Sequence, residues 1–132
     1  MKNPKSVRDI MTKKLVTFEL GTNVFAAIDS LLKNKISGAP VLDENGNLVG
    51  MLSEIDTMAT LIQSSYHGEG SGQVKEFMST NPISVNPEMG IVDLAEFFLK
   101  KHFRRLPVME RGKLVGLVSR KDVLKAIQKL SG

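Results

Sequence analysis

A single sequence unit occurs twice in this chain, and this repeat constrains the fold more than any other feature. Three segments recur in the same order, with one residue deleted before the third segment in the later copy. They pair residues 7–12 (VRDIMT) with 74–79 (VKEFMS), 36–41 (ISGAPV) with 103–108 (FRRLPV), and 46–56 (GNLVGMLSEID) with 112–122 (GKLVGLVSRKD). Because the matched positions lie at predicted turns, strand ends and helix starts, the repeat predicts two copies of one structural unit.

The hydrophobic pattern of each copy predicts the order strand, helix, strand, strand, helix. The first strands are predicted at 16–18 and 83–85, and a turn at 21–23 offers a cap for the first helix. An Asn-Gly pair at 45–46 and an Arg-Gly pair at 111–112 predict two β-hairpins. Helical spacing predicts a core face on each of the four helices. In the first copy these faces are Val24, Ile28, Leu31 and Leu32 on the first helix and Ile55, Met58, Ala59 and Ile62 on the second. In the second copy they are Ile91, Ala95, Phe98 and Leu99 on the first helix and Val123, Leu124 and Ile127 on the second.

Residues 1–66 are predicted to form the first repeat, and residues 74–132 the second. Between them, residues 67–73 (HGEGSGQ) contain three alternating glycines, which is typical of a flexible linker. A unit of about 60 residues is marginal by itself. We therefore expect the two repeats to pack face to face and to share an interface.

Composition excludes several classes of protein. The chain has no cysteine and two histidines, so we expect no disulfide, no thiolate or histidine-rich metal site and no cysteine nucleophile. No apolar run approaches the roughly 18 residues of a membrane span, and the N-terminus lacks the apolar stretch of a signal peptide, which together favour a cytoplasmic protein. No serine has a histidine base in a suggestive place, and no phosphate-loop string appears, so we expect no catalytic residues and no enzyme.

The most informative motif is Gly-x-x-Ser-x-x-Asp, which occurs at 50–56 and again at 116–122. It joins the end of a predicted strand to the start of a predicted helix. One interpretation is a capping box, in which serine and aspartate satisfy amides of the first helical turn. The other is a binding site, because a helix N-terminus attracts anions and a carboxylate there can accept hydrogen bonds from a ribose diol. Both interpretations remain open at this point.

Together these features resemble a tandem pair of cystathionine β-synthase (CBS) domains, called a Bateman module, over nearly the whole chain. The resemblance rests on the Met-Thr/Ser openings, the strands containing Pro-Val, the glycine hairpins and the Gly-x-x-Ser-x-x-Asp strings, each present twice in order. It implies an α/β (α+β) fold of two βαββα repeats packed with pseudo-twofold symmetry through their sheets. It also implies homodimers, and binding of AMP, ADP, ATP or S-adenosylmethionine in clefts between the repeats to regulate another domain or protein.

The resemblance implies two unequal ligand sites. In such modules the aspartate of the motif holds the ribose, residues just before the Pro-Val strand face phosphate or base, and the first strand of the opposite repeat covers the adenine. Arg104-Arg105-Leu106 resembles the His-Arg-Leu phosphate-binding string of the γ subunit of AMP-activated kinase, and guanidinium groups suit phosphate. The main site is accordingly predicted to contain Asp122, Ser119, Arg104, Arg105 and Lys121, with Ser37, Ile36 and Val16 from the other repeat.

The second site is predicted to be weaker or empty. It would contain Asp56, Ser53 and Gly38, with Ile83 as the apolar cover. Its residues before the Pro-Val strand, Ser37 and Gly38, bring no cation, and Arg104 could reach across and fill it.

The charge distribution favours this asymmetry. Residues 1–66 carry 7 Lys/Arg and 7 Asp/Glu, whereas residues 67–132 carry 11 and 7, so the whole net charge of +4 lies in the second half. A basic half also suggests nucleic acid, but single-strand binders stack bases on aromatic side chains, and this chain has one Tyr, six Phe and no Trp. We therefore predict a CBS pair that binds an adenosine nucleotide and signals to a separate effector protein. The alternatives are an S-adenosylmethionine-binding module and a dimerisation module with decayed sites.

Overall fold

The computed structural model describes residues 3–67 and 72–131. Helices and strands interleave in two repeats, which confirms the predicted mixed α/β class. The elements in chain order are α1 (Val7–Ile10), β1 (Phe18–Glu19), α2 (Val24–Asn34), β2 (Gly38–Leu42), β3 (Leu48–Ser53), α3 (Glu54–His67), α4 (Val74–Phe77), β4 (Ser79–Thr80), α5 (Ile91–Lys101), β5 (Arg105–Glu110), β6 (Lys113–Ser119) and α6 (Arg120–Ser131).

The chain divides into two compact units that do not follow sequence order. One, here called the β3 unit, is Val16–Pro82, and the other, the β6 unit, combines Met1–Leu15 with Ile83–Gly132. The opening segment of each copy therefore packs in the unit that contains the hairpin of the other copy. In the β6 unit Thr12 bridges Leu117 of β6, and in the β3 unit β4 pairs antiparallel with β3.

The β3 unit contains a four-stranded sheet in the order β1-β2-β3-β4. Strand β1 lies parallel to β2, as expected for a connection through helix α2, whereas β2 and β3 form the predicted antiparallel hairpin. One face of this sheet and the buried side of α2 enclose the core. Its buried members are Phe18, Ala27, Leu31, Ala39, Val41, Leu52 and Val74.

The β6 unit contains the second predicted hairpin, β5–β6. Its turn residues Arg111 and Gly112 both have positive φ, 52° and 78°, as a two-residue hairpin turn of this type requires. Strands β5 and β6 pack against α5 and α6. The buried members of this core are Val7, Val85, Leu94, Phe98, Leu106, Val108, Val118 and Val123.

The predicted first strands are only partly correct. Strand β1 begins two residues later than predicted, at Phe18. The prediction of a strand at 83–85 is wrong, because within the described chain only Val85 pairs there, through an isolated parallel bridge to Val108. Pro82 and Pro87 flank this segment, and proline lacks the N–H that a longer ladder needs.

The glycine of each Gly-x-x-Ser-x-x-Asp motif has a steric role that the motif itself does not reveal. A β-carbon at Gly50 would lie 2.5 Å from Met78 Sδ and 2.8 Å from the Ser79 carbonyl oxygen. A β-carbon at Gly116 would lie 2.7 Å from Met11 Sδ and 3.0 Å from the Thr12 carbonyl oxygen. Glycine is therefore required where the Met-Ser or Met-Thr opening crosses the hairpin.

Several residues predicted to be in the core are exposed instead. Leu32 of α2 and Leu99 of α5 are 71% and 75% exposed, because each helix buries a narrower stripe than its apolar spacing suggests. Along α3, the side chains of Ile55, Met58 and Ile62 are also exposed, so the predicted core face of this helix is wrong. On α6, Val123 is buried as predicted, whereas Leu124 and Ile127 are exposed.

The predicted linker, residues 67–73, is described only at its two ends. His67 ends α3, and residues 68–71 lie outside the described residues. At the other end, the Gly72 carbonyl accepts a hydrogen bond from Val24 N (2.9 Å), and Gln73 precedes α4 and forms a bridge with Asn23. The end of this segment is thus held in the β3 unit beside α2.

Candidate ligand-binding site

The two strand-to-helix junctions share two hydrogen bonds, and Ser119 Oγ donates a third, to Asp122 Oδ2 (3.0 Å). Ser119 N donates to Asp122 Oδ2 (2.8 Å), and Asp122 N donates to Ser119 Oγ (3.2 Å). At the other junction, Ser53 N donates to Asp56 Oδ2 (2.9 Å), and Asp56 N donates to Ser53 Oγ (3.2 Å). Each motif therefore forms a reciprocal capping box at the start of its helix, as one interpretation of the sequence predicted.

The capping box does not use the whole aspartate side chain. Both aspartates are half-buried and accept the capping bonds through Oδ2. Within the described residues, no hydrogen bond reaches Oδ1 of Asp56 or Asp122. Each carboxylate keeps an acceptor for a ligand while its other oxygen fixes the rotamer, so capping and ligand binding are compatible at one side chain.

Arg104 and Arg105 adjoin the Ser119–Asp122 junction through their backbone. Arg105 of β5 is the register partner of Ser119, and the Arg104 carbonyl accepts a hydrogen bond from Arg120 N (3.1 Å). Arg104 is exposed, whereas Arg105 is half-buried. The backbone of both arginines therefore adjoins the junction, and their side chains differ in exposure.

The equivalent positions at the Ser53–Asp56 junction carry no cation. Gly38 is the register partner of Ser53, and the Ser37 carbonyl accepts a hydrogen bond from Glu54 N (2.9 Å). A β-carbon at Gly38 would lie 2.9 Å from the Leu52 carbonyl oxygen, so the backbone approaches closely here. The two junctions share their backbone geometry and differ in the side chains beside them.

Arg120, part of the basic cluster in the sequence, has a structural role. Its Nε donates to the Phe103 carbonyl (2.7 Å) and its Nη2 to the His102 carbonyl (3.0 Å). These bonds satisfy carbonyls just after α5, where His102 ends the helix in the left-handed conformation. Arg120 thereby fixes the segment that leads into Arg104. Lys121, its neighbour, is exposed.

The remaining predicted site residues belong to different units from their predicted partners. Val16, Ile36 and Ser37, predicted to join Asp122, lie in the β3 unit. Ile83, predicted to cover the Asp56 site, lies in the β6 unit and is exposed. These two groupings remain predictions.

Asp122 lines a cleft that the sequence analysis missed. This cleft, here called the α6 cleft, lies between the N-terminal segment and α6 within the β6 unit and has a volume of about 540 Å³. Its lining residues are Asn3, Pro4, Lys5, Asp9, Ile10, Asp122, Lys125, Ala126 and Lys129. The spacing of Asp122, Lys125 and Lys129 on one helix face could have indicated it. The N-terminal wall is a long-range contact that no local pattern predicts.

The carboxylate of Asp9 is engaged in holding the N-terminal wall of this cleft. Its Oδ2 accepts hydrogen bonds from Lys5 N (2.8 Å) and Ser6 N (3.1 Å). These backbone bonds, first that of Lys5 and then that of Ser6, lower the pKa of Asp9 below its ordinary value. Through these bonds Asp9 caps the short helix α1.

The described residues contain neither a cluster of metal-binding side chains nor a membrane-spanning helix. Residues 3–67 and 72–131 contain no group of three or more His, Asp or Glu side chains that could hold a metal ion. No helix in the same part of the chain is both long and apolar enough to cross a membrane.

The fold and the two junctions define a protein made of paired strand-helix repeats with a ligand-sized cleft. The family model for the CBS domain matches residues 7–62 and again 74–129. The chain therefore belongs to the CBS domain family and contains two copies of the domain, which confirms the resemblance found in the sequence.

Several curated proteins are similar in sequence to this chain. The protein MJ1426 of Methanocaldococcus jannaschii is 30% identical, over 92% of this chain and 90% of its own length. Other curated relatives are longer, and the chain spans 42% and 63% of the length of two of them.

Two solved structures are similar over almost the whole chain. The crystal structure of CBSX2 in complex with AMP has a TM-score of 0.85 and 32% identity, and covers 98% of this chain and 100% of its own. The CBS domain pair of MJ0100, in complex with 5′-methylthioadenosine and S-adenosyl-L-methionine, has a TM-score of 0.82 and 25% identity, with 96% and 99% covered.

Proposed function

We propose that this protein is a regulatory CBS pair that binds an adenosine nucleotide and transmits its occupancy to a partner protein. The observation that carries this proposal is the Asp122 carboxylate, held by one oxygen at a helix N-terminus and flanked by Arg104 and Arg105. The similarity to a structure in complex with AMP supports the same ligand class.

In this proposal the ligand's ribose hydroxyls donate hydrogen bonds to Asp122 Oδ1. Such bonds to a charged acceptor contribute about 1.5–3 kcal/mol each. The phosphate next to the ribose is held by Arg104 and Arg105, whose guanidinium groups can form paired hydrogen bonds with phosphate oxygens. Val16, Ile36 and Ser37 are proposed to contribute the adenine contacts, and Asp56, with Ser53, Gly38 and Ile83, a weaker second site.

Regulation follows from the different affinities of the ligand for alternative arrangements of the protein. A ligand shifts a conformational equilibrium only by the difference between its affinities for the two states. We propose that the protein acts as a homodimer, and the exposed side chains of Ile55, Met58 and Ile62 on α3 support an apolar surface for self-association. An effector protein would then recognise the altered dimer.

A thermal-shift series on the purified protein tests the ligand class. AMP, ADP and ATP are expected to raise the melting temperature, whereas GMP and GTP serve as base controls. S-adenosylmethionine is the alternative ligand, favoured by the MJ0100 complex. A shift with S-adenosylmethionine alone would replace the nucleotide proposal, and no shift with any adenosine compound would indicate a dimerisation module with decayed sites.

The phosphate contact is tested separately with Arg105→Ala. By isothermal titration calorimetry, this variant is expected to bind AMP and ATP about tenfold more weakly, which corresponds to about 1.4 kcal/mol. Arg111→Ala is the matched control, because Arg111 is an exposed arginine of the β5–β6 turn. Equal losses in both variants would assign the effect to overall charge.

A further inference from the structure

The α6 cleft has an acidic and a basic part on one wall. Asp122 lies in the first turn of α6, and Lys125 and Lys129 follow it along the helix. Ala126, which is 1% exposed, forms the floor between the two lysines.

Helix geometry sets the spacing of these groups. With a rise of about 1.5 Å per residue, Lys125 lies about 4.5 Å and Lys129 about 10.5 Å beyond Asp122 along the axis. Positions three and seven residues apart share one helix face, so the three side chains form a row. Lys5 of the N-terminal segment lines the opposite wall of the cleft.

This row is absent from the other copy. Counting from Asp56 along α3, the positions equivalent to Lys125 and Lys129 are Ala59 and Gln63, and Gly72 stands where the first copy has Lys5. The capping box is nevertheless the same at both helices. The shared capping box therefore does not explain the lysines. Because these positions carry lysine only in the copy that contains Asp122, they point to an extended anion in the α6 cleft.

The cleft volume suits a small-molecule ligand. About 540 Å³ lies within the usual range of roughly 300–1,000 Å³ for ligand pockets. The ammonium groups at the rim are exposed, so they can approach a charged ligand without a large cost of desolvation. Asp9 is the second carboxylate of the cleft, and its Oδ2 is already bound to two backbone amides.

We propose that the α6 cleft binds the outer phosphates of a nucleoside di- or triphosphate, with Lys125 and Lys129 along one wall and Lys5 on the other. This inference rests on the proposed function, which places the ribose on Asp122 and the first phosphate on the arginines. It predicts that the protein prefers ATP to AMP and that this preference depends on the three lysines. Adenosine and AMP, which lack outer phosphates, do not depend on them.

The test compares ATP and AMP binding to the wild type and to the double variant Lys125→Gln/Lys129→Gln by calorimetry. The wild type is expected to bind ATP more tightly than AMP, and the double variant to lose about tenfold in ATP affinity with AMP affinity unchanged. Lys113→Gln is the matched control, because it removes one exposed lysine of the same unit outside the cleft. Circular dichroism melting confirms that each variant is folded.

Inorganic tripolyphosphate separates this inference from the proposed function. If the wild type binds tripolyphosphate but no adenosine compound, and the double variant loses that binding, the cleft is a phosphate site and the proposed function is wrong. Conversely, the cleft assignment is overturned if the wild type binds AMP as tightly as ATP. It is also overturned if the double variant weakens both nucleotides equally, or if Lys113→Gln has the same effect on ATP.

Discussion

The two strand-to-helix junctions have the same local structure and different surroundings. At both, serine and aspartate form a reciprocal capping box with corresponding distances within 0.1 Å of each other. Arg105 pairs with Ser119 and Asp122 lines a cleft with lysines, whereas Ser53 pairs with Gly38. The comparison shows that the motif supplies a positioned carboxylate, whereas the neighbouring side chains decide what that carboxylate can bind.

The largest expected effect is on stability, and it tests the glycine that both junctions require. Gly50→Ala and Gly116→Ala should each lower the free energy of unfolding by about 1–3 kcal/mol, because the added methyl overlaps the Met-Ser or Met-Thr opening. Urea unfolding followed by circular dichroism measures this. Gly21→Ala is the control, since nothing lies within 4 Å of its β-carbon position. If only one of the two substitutions lowered the free energy of unfolding, the two junctions would not be structurally equivalent.

The next effect is on nucleotide binding, and it tests the predicted difference between the Asp122 and Asp56 sites. Asp122→Ala should weaken adenosine nucleotide binding by tenfold or more, about 1.4 kcal/mol, because the ribose loses its charged acceptor. Asp56→Ala should change binding less, although both variants lose an equivalent cap. Calorimetry on the two proteins under identical conditions measures the difference. Equal losses, or unchanged binding in Asp122→Ala, would show that the sites are not asymmetric.

A smaller effect is expected from the two serines. Ser53→Ala and Ser119→Ala each remove the hydroxyl that accepts the aspartate N–H, and should cost about 1 kcal/mol of stability. Ser119 Oγ also donates a hydrogen bond to Asp122 Oδ2 (3.0 Å), so Ser119→Ala should lower stability somewhat more than Ser53→Ala. Equal shifts of the two unfolding curves would show that this additional hydrogen bond adds nothing to the stability of the Ser119 junction.

The smallest effect concerns acid stability. Since the pKa of Asp9 is lowered in the folded protein, its contribution to stability is present above the unfolded pKa of 3.8 and is lost as the pH falls through the folded pKa. Asp9→Asn should therefore be less stable than the wild type at pH 6, with the difference shrinking below pH 4. Urea unfolding at several pH values measures it. A difference that does not change with pH would show that the charge of Asp9 has no part in it.

Local patterns predicted the elements that depend on neighbouring residues. The turns at 45–46 and 111–112, the helix that follows Asn23 and the paired capping boxes were all identified, since each needs only a few consecutive residues. The prediction of a strand at 83–85 was wrong, because the neighbouring prolines limit its pairing to a single bridge. The prediction that Leu32 and Leu99 lie in the core was wrong, because helical spacing does not reveal how wide a stripe of the helix the rest of the fold covers.

The sequence by itself determined the repeat, the CBS family, the two Gly-x-x-Ser-x-x-Asp junctions and the location of the net positive charge in the second half. Only the tertiary structure decided that each opening segment packs in the unit of the other hairpin, and that Lys5 faces Lys125 and Lys129 across a cleft. Lys5 and Lys125 are more than a hundred residues apart in the chain. Such proximity depends on how distant segments pack, which the period of a local pattern does not encode.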